Sequence, residues 1–389
     1  MIFEVRDVNE YLVDVYKPFP ITVKRAEHVY IYDSNGKRYI DTFSGIGVLA
    51  FGHSNEDIKR AMKEKIDRYT HLSNYFTDPD AIEVAKMLME KTGRGGKVFY
   101  GNSGTEANEA ALKAIKKKKG RIVSFNGNFH GRTIGSLSIT GFDNLSKPFL
   151  PLIGEVYFLP FGDSKAFEDY MSKEGKNVSA VFVETLLGSG GLKMIDNQFA
   201  EKIMEMKERY KYILVADEVQ AGLGRTGKFY AHEYFNLKPD IITVAKSIGG
   251  GLPLSATIFL DEYADVFSQG EHGSTFGPNP VALAAAKVVL SKLSEEFINQ
   301  VREKGEYFKK HLSALPVKEV RGIGLMIGVE LPFKSNDIIA AGLKNDLLLN
   351  VVGGNTVRFL PPLDISYDEM NEILERFEKT IEVLQNGLN

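Results

Sequence analysis

Two short strings carry residue types that could act together on one small molecule. Asp217-Glu218-Val219-Gln220 offers a carboxylate and an amide, and Ala245-Lys246-Ser247-Ile248-Gly249-Gly250-Gly251 offers an amine followed by three glycines. Each sits at the end of an apolar, strand-like run, Tyr212 to Ala216 and Asp240 to Val244. In open α/β sheets ligands bind outside the carboxyl ends of the strands, so an acid and a lysine delivered there can reach one ligand from different sides. A lysine at the end of a buried strand is partly desolvated, which lowers its pKa and frees the amine to attack a carbonyl. Each string alone also has a bland reading. Lys246 could snorkel at a strand end, and Asp217 could cap the next helix or turn.

The pair selects a chemistry that neither string selects alone. Pyridoxal 5'-phosphate requires a lysine that condenses with its aldehyde and an anion against its pyridine nitrogen, so that the ring stays protonated and draws electrons. Gln220 could hydrogen-bond the phenolic oxygen while Asp217 holds the ring nitrogen. Gly101-Asn102-Ser103-Gly104-Thr105-Glu106-Ala107 follows a strand and opens a helix. Backbone N–H groups at a helix N-terminus, with the hydroxyls of Ser103 and Thr105, suit a phosphate. Ser103 with Glu106 is also a capping box, which a helix needs whether or not it binds anything. Phe129-His130-Gly131-Arg132-Thr133 brings together a ring that can stack on a flat heterocycle and a guanidinium that can grip a carboxylate. His130 is the one histidine of seven in such a cluster.

Other strings match motifs without their context. Gly222-Leu223-Gly224-Arg225-Thr226-Gly227 fits the dinucleotide fingerprint and, with Lys228, most of a nucleotide-binding loop. Phe229 stands where magnesium binding needs Ser or Thr, and the dinucleotide version needs a helix directly behind it. Gly45-Ile46-Gly47-Val48-Leu49-Ala50 is a similar chance match. No spacing of histidines and acids suggests a catalytic metal.

These residues need a scaffold. Val29 to Tyr32 and Tyr39 to Phe43 flank Ser34-Asn35-Gly36-Lys37, and Asn-Gly is the strongest hairpin signal. Helical periodicity begins at Ser54, and a second helix runs from Asp78-Pro79 to Thr92-Gly93. Strand-like runs follow at Val98 to Tyr100, Ile122 to Phe125, Val178 to Val183, Tyr212 to Ala216, Ile241 to Ala245 and Ala256 to Leu260, with helical stretches between most of them. That alternation is α/β, a mostly parallel sheet between helices over residues 52–280. Beyond Pro280 come a long helical section, Val320 to Leu331, Leu348 to Leu360 and a helix from about Asp368 to Gln385. Residues 1–51 and 281–389 are therefore expected to combine into one smaller α+β domain.

Composition sets the outer bounds. With 389 residues, 43% of them hydrophobic, the chain can bury large cores. A net charge of −3 with interleaved acids and bases offers no field for nucleic acid or an anionic membrane. Cysteine is absent, which excludes disulfides and thiolate metal sites. Neither a signal peptide nor a membrane span is visible, so a soluble cytoplasmic protein is expected.

In order and spacing, Ser103-Gly104-Thr105, Phe129 to Arg132, Asp217 to Gln220, Gly224 to Gly227, Lys246 and Gly273-Ser274-Thr275-Phe276 resemble the class III pyridoxal-phosphate aminotransferases. The resemblance covers about Pro18 to Pro362. It is closest to the acetylornithine aminotransferase branch, through Phe129 to Thr133 and Thr356-Val357-Arg358-Phe359-Leu360-Pro361-Pro362. It implies fold type I and a homodimer whose active sites lie at the interface. Lys246 would bind the cofactor covalently and shuttle protons, Asp217 would pair with the pyridinium, Gln220 with O3', and Phe129 would stack on the ring. Ser103, Gly104 and Thr105 would hold the phosphate, joined by Thr275 of the neighbouring subunit. His130 and Glu184 are also implied at the cofactor, and Arg132, Arg358 and Ile46 at the substrate.

The branch departs from this chain at one informative place. It usually has Glu-Pro-Ile-Gln-Gly-Glu-Gly-Gly where this chain has Glu184-Thr185-Leu186-Leu187-Gly188-Ser189-Gly190-Gly191. In the family the second glutamate pairs with the arginine at 358 when an ω-amino donor is bound, which Ser189 cannot do. Leu49 and Pro278 also differ, where Asn and Gly are usual. The expected function is transfer of an amino group from an acetylornithine- or ornithine-like donor to 2-oxoglutarate in a ping-pong cycle. The alternatives are another ω-aminotransferase of 4-aminobutyrate or lysine type, an amino-acid racemase using the same lysine, and, from a different class, a nucleotide-binding protein built on Gly222 to Lys228.

Overall fold

The protein is described by a computed structural model covering residues 11–332 and 337–386. Strands β1 (Val23–Glu27), β2 (Tyr30–Asp33) and β3 (Arg38–Asp41) form an antiparallel ribbon. The Asn-Gly turn joins β2 to β3. Asp33 accepts hydrogen bonds from the backbone N–H groups of Asn35 and Lys37, both at 2.9 Å, and Gly36 takes a left-handed φ of +84°. β1 was not expected, because its charged, largely exposed sequence Val-Lys-Arg-Ala-Glu lacks an apolar face.

Strands β4 (Gly96–Gly101), β5 (Arg121–Phe125), β6 (Val156–Leu159), β7 (Val178–Val183), β8 (Ile213–Asp217), β9 (Ile241–Val244) and β10 (Ser255–Leu260) build a seven-stranded sheet in the order β4-β10-β9-β8-β7-β5-β6. β10 runs antiparallel to both its neighbours, and the other pairings are parallel. Alternate side chains of one strand enter different cores. Val181, Val183 and Leu214 pack with Phe167, Phe199 and Ile203 from the helices Ser164–Glu174 and Asn197–Tyr210. Ala180, Phe182 and Val215 pack with Ala110, Ala111 and Ile115 of the helix Gly104–Ile115 on the other face. β7, β8 and β9 are buried throughout, which is why they read as continuous apolar runs. β6 was missed because it is a short, half-exposed edge strand.

The section beyond Pro280 is two helices, Pro280–Lys292 and Glu295–Leu312, the second capped by Ser294, whose hydroxyl accepts from Phe297 N at 3.1 Å. Strands β11 (Glu319–Ile323), β12 (Met326–Glu330), β13 (Leu347–Leu348), β14 (Asn350–Val352) and β15 (Thr356–Phe359) follow, with a short helix Ile338–Lys344 that the sequence reading did not include. β11-β12-β15-β14 is an antiparallel sheet. β13 instead joins the N-terminal ribbon, pairing in parallel with β3. The two ends of the chain thus share one sheet, closed by the final helix Tyr367–Asn386. The result is an α/β fold of type I, with a larger sheet layered between helices and a smaller sheet domain.

Candidate active site

A cavity of about 250 Å3 lies beyond the carboxyl ends of β5, β7, β8 and β9, where the topology predicts a ligand. Asp217, the last residue of β8, supplies a buried carboxylate to its wall. Its Oδ2 accepts from Asn108 Nδ2 at 2.8 Å and lies 2.7 Å from His130 Nδ1, and its Oδ1 accepts from Val219 N at 3.0 Å. Asn128 Nδ2 stands 3.3 Å from His130 Nε2, so the network places the imidazole proton on Nδ1, facing Asp217. Asn108 is itself held, since its Oδ1 accepts from Thr243 Oγ1 at 2.9 Å. Glu184, just past β7, accepts from Phe129 N at 2.6 Å and Gly188 N at 3.0 Å. Burial, and then the neighbouring Asp217 charge, push the Glu184 carboxyl up to about 7.

Lys246 stands at the cavity wall just after β9, in a left-handed backbone with φ +50°, which is costly for a side chain with a Cβ. Its amine carries no hydrogen bond or ion pair among the described residues. Burial, with the Arg358 charge adding to it, lowers its pKa to about 8, although Asp217 and Glu184 pull the other way.

Ser103 caps the helix Gly104–Ile115, its hydroxyl accepting from Glu106 N at 3.3 Å and donating to Glu106 Oε2 at 3.0 Å. Ser103 is therefore the helix cap as expected, but the reciprocal bond of a capping box is shifted by one residue, Glu106 Oε2 accepting from Asn102 N at 2.8 Å. The N–H groups of Gly104 and Thr105 lie in the first turn, which has no intrahelical partners, and these residues border the cavity. Capping and an anion-facing helix end coexist.

Phe129, Arg132 and Gln220 line the same space, and the Arg132 guanidinium lies 5.6 Å from the centroid of the Phe129 ring. Arg358, on β15, reaches the site from the smaller domain. Its Nη1 donates to Gly188 O at 2.8 Å and to Gln220 Oε1 at 3.0 Å, and Asn350 Oδ1 accepts from its Nε at 3.0 Å and Nη2 at 2.7 Å. None of these acceptors is a carboxylate. Burial lowers the Arg358 pKa to about 10.

Three expected site residues are not in the cavity lining: Arg358, which stands behind Gly188 and Gln220, and Ile46 and Thr275. Ile46 is 41% exposed and outside the cavity lining. Thr275 is exposed and also away from this cavity. Sequence reasoning missed Asn108, Thr243 and Asn350. Asn108 was within reach, since it falls one helical turn after Gly104 and so shares the face that meets the ligand. It also left Glu218 without a role. The Glu218 carboxylate accepts from Ala231 N and His232 N, both at 2.8 Å, and so ties down the far end of the loop after β8.

The Gly222 to Lys228 segment forms turns, followed only by the short 3-10 helix Ala231–Phe235, so no helix N-terminus faces a nucleotide there. Among the described residues no cluster of three or more His, Cys, Asp and Glu side chains could hold a metal ion, and no helix is long and apolar enough to cross a membrane.

The donor set fits one cofactor. An unbonded amine with a lowered pKa, a buried carboxylate braced by three donors, open helix N–H groups and an aromatic ring surround a single small cavity. Fold and site together define a pyridoxal-phosphate-dependent enzyme of fold type I. The class III aminotransferase family model matches residues 11–381, so the chain belongs to the class III aminotransferases and is a transaminase. It is 39% identical to the acetylornithine aminotransferase of Aquifex aeolicus (strain VF5), over 94% of this chain and 98% of that protein. It is 37% identical to the acetylornithine aminotransferase of Archaeoglobus fulgidus, over 94% of this chain and 97% of that protein. Among solved structures, the ornithine aminotransferase from Toxoplasma gondii ME49 superposes with a TM-score of 0.92 at 28% identity, covering 98% of this chain and 95% of that one. The N-acetylornithine aminotransferase from Stenotrophomonas maltophilia K279a gives 0.84 at 29% identity, covering 98% and 100%.

Proposed function

We propose that the protein transfers an amino group from an acetylornithine- or ornithine-like donor to 2-oxoglutarate in two half-reactions. The observation that carries this reading is the convergence of Lys246, Asp217 and Arg132 on one cavity, with Arg358 bonded to two of its lining residues, Gly188 and Gln220, and neither guanidinium having a carboxylate partner among the described residues. Bound in this cavity, pyridoxal 5'-phosphate supplies an aldehyde that accepts the amino group and a protonated ring that withdraws electrons from the donor carbon.

The chain's own residues do the rest. Lys246 anchors the cofactor and then, with its pKa near 8, takes and returns the proton at the reacting carbon. Asp217, braced by His130 and Asn108, would hold the ring nitrogen protonated. Gln220 keeps its amide N–H groups for O3' while its oxygen is engaged by Arg358. Ser103, Gly104 and Thr105 would take the phosphate and Phe129 would stack on the ring, while Glu184 fixes Phe129 and Gly188 by accepting from their N–H groups. Arg358 and Arg132 grip the substrate carboxylates at the two ends of the cavity. Localisation in the cytoplasm belongs to the same reading.

A homodimer completes the site. Thr275 adjoins Phe276, 65% exposed, which with Ile66, 50% exposed, lines a further cavity of about 640 Å3. Asn74 donates to Ser274 O at 2.7 Å and so holds this surface together. Burying it against a second copy would bring Thr275 toward the partner's phosphate.

Purified protein should be yellow near neutral pH and bleached by borohydride, and mixing it with donor and 2-oxoglutarate should yield glutamate. A second reading is favoured by Ser189, which stands at the cavity wall where the family has its switch glutamate. Arg358 then stays available to a carboxylate throughout, and the donor is a different ω-amine or a free amino acid. Steady-state kinetics with acetylornithine, ornithine, 4-aminobutyrate and lysine separates the two. High efficiency on acetylornithine sinks the second reading, and turnover without any keto acid would indicate a racemase.

A further inference from the structure

Arg358 is only 3% exposed, yet every acceptor it meets is neutral. A buried guanidinium without an anion is costly, and proteins normally pair it. The residue that occupies the pairing position is Asn350. β14 and β15 are antiparallel, with Asn350 directly opposite Arg358, so sheet register fixes the two side chains against each other. Asn350 Oδ1 takes both Nε and Nη2, the side-on edge of the fork where a carboxylate of the same shape would sit. Glu184, the carboxylate whose charge acts on Arg358, directs its two oxygens at Phe129 N and Gly188 N instead.

A guanidinium has five N–H donors. Asn350 and the acceptors Gly188 O and Gln220 Oε1 account for four of them, leaving one on Nη2 along the end-on edge. That edge, and the full positive charge behind it, remain for an incoming anion.

We infer that Asn350 is a specificity-determining residue, a neutral brace that orients Arg358 without cancelling its charge, so that the site selects substrates bringing a carboxylate to the Arg358 end. This rests on the reading of Arg358 as a substrate-carboxylate anchor. Asn350 touches Arg358 and not the reacting atoms, and so acts by positioning.

The test measures binding to the cofactor-loaded enzyme by calorimetry, with 2-oxoglutarate and the unreactive dicarboxylate glutarate as probes, alongside steady-state kinetics. Asn350→Asp keeps shape and supplies an internal counter-ion. Its Kd for both probes should rise at least about 10-fold, and KM for 2-oxoglutarate should follow, with kcat changed far less. Asn350→Ser removes the acceptor without adding charge and should weaken binding by only a few-fold. Asn350→Asp binding glutarate as tightly as the unsubstituted enzyme overturns the inference. So does a loss of about 10-fold or more in Asn350→Ser, and that arm stands even where the Asp variant does not fold. If the unsubstituted enzyme binds neither probe, the anchor reading itself fails, and the inference fails with it.

Discussion

Lys246 combines a left-handed backbone, a position just past β9 and an amine with no internal partner. The first and last of these are unfavourable for folding alone, and with the position past β9 they leave a nitrogen free at the cavity wall. Replacing it in Lys246→Ala should cost at least about 10^3-fold in turnover, and the visible absorbance of the holoprotein should shift. Because burial lowers its pKa to about 8, the neutral amine gains population as pH rises through that value. The rate at which cofactor-free protein captures pyridoxal phosphate should therefore increase between about pH 7 and 9 and then level off, which stopped-flow absorbance would follow. Asn108 is the quieter member of the site. Asn108→Ala strips a donor from Asp217 and leaves Thr243 Oγ1 unpaired, and should destabilise the fold by about 1–3 kcal/mol in denaturant titration while weakening cofactor affinity.

Single elements deliver these residues, and one crossing holds the two domains in register. Arg225 is buried, and its Nη1 donates to Leu325 O at 3.1 Å and to Pro361 O, while Leu325 N returns a bond to Arg225 O at 3.0 Å. The loop after β8, which carries Gln220, is thereby fastened to the segment just beyond Arg358. Gly324, at φ +55°, presses against the backbone of Thr226, so Gly324→Ala should destabilise by several kcal/mol, and thermal melting would register it. How much of this was legible follows from which signals are local. Asp78-Pro79 and Ser103 with Glu106 mark helix starts by hydrogen bonds made within a few residues, and both appear where expected. The apolar runs of β7, β8 and β9 read cleanly because helices cover both faces. β1, Val-Lys-Arg-Ala-Glu at a sheet edge, carries little apolar pattern, whereas β6, Val-Tyr-Phe-Leu, is apolar but only four residues long and half exposed at the other sheet's edge. Asn350 and Thr243 were invisible because their roles depend on a cross-strand partner and on a helix far away in sequence. Arg225 sat in a string that matched a nucleotide motif, and only tertiary contact shows its work as a clamp.

At the scale of the whole molecule, the two ends of the chain are joined by more than the pairing of β3 with β13. His28, between β1 and β2, meets Asp364 at 3.1 Å and Glu369, in the last helix, at 2.7 Å. Burial opposes its charge, but the hydrogen bonds from Asp364 and Glu369 prevail and raise it to about 9. A histidine raised in the folded state stabilises fully below its ordinary value near 6.5 and loses that contribution as pH climbs through about 9. Stability should thus decline by about 2–3 kcal/mol between pH 6 and 9.5, and His28→Asn, which suits the local φ of +47°, should flatten that decline. Urea titrations of both proteins at a series of pH values would show it. The homodimer reading belongs to this scale too. Light scattering should give twice the chain mass, and Phe276→Asp, placing a charge on the exposed surface beside Thr275, should shift the protein toward monomer at micromolar concentration.

The lone reversed strand β10 has a geometric consequence. It lies between β4, whose end opens the helix beginning at Gly104, and β9, whose end presents Lys246. Adjacent strands stand about 4.8 Å apart, so the anion-holding tip and the nucleophile are kept roughly 10 Å from each other by rungs of the main chain rather than by any side chain. On the proposed reading, that spacing would serve as a ruler for the coenzyme, and side chains of the chamber could change many times over without moving either mark.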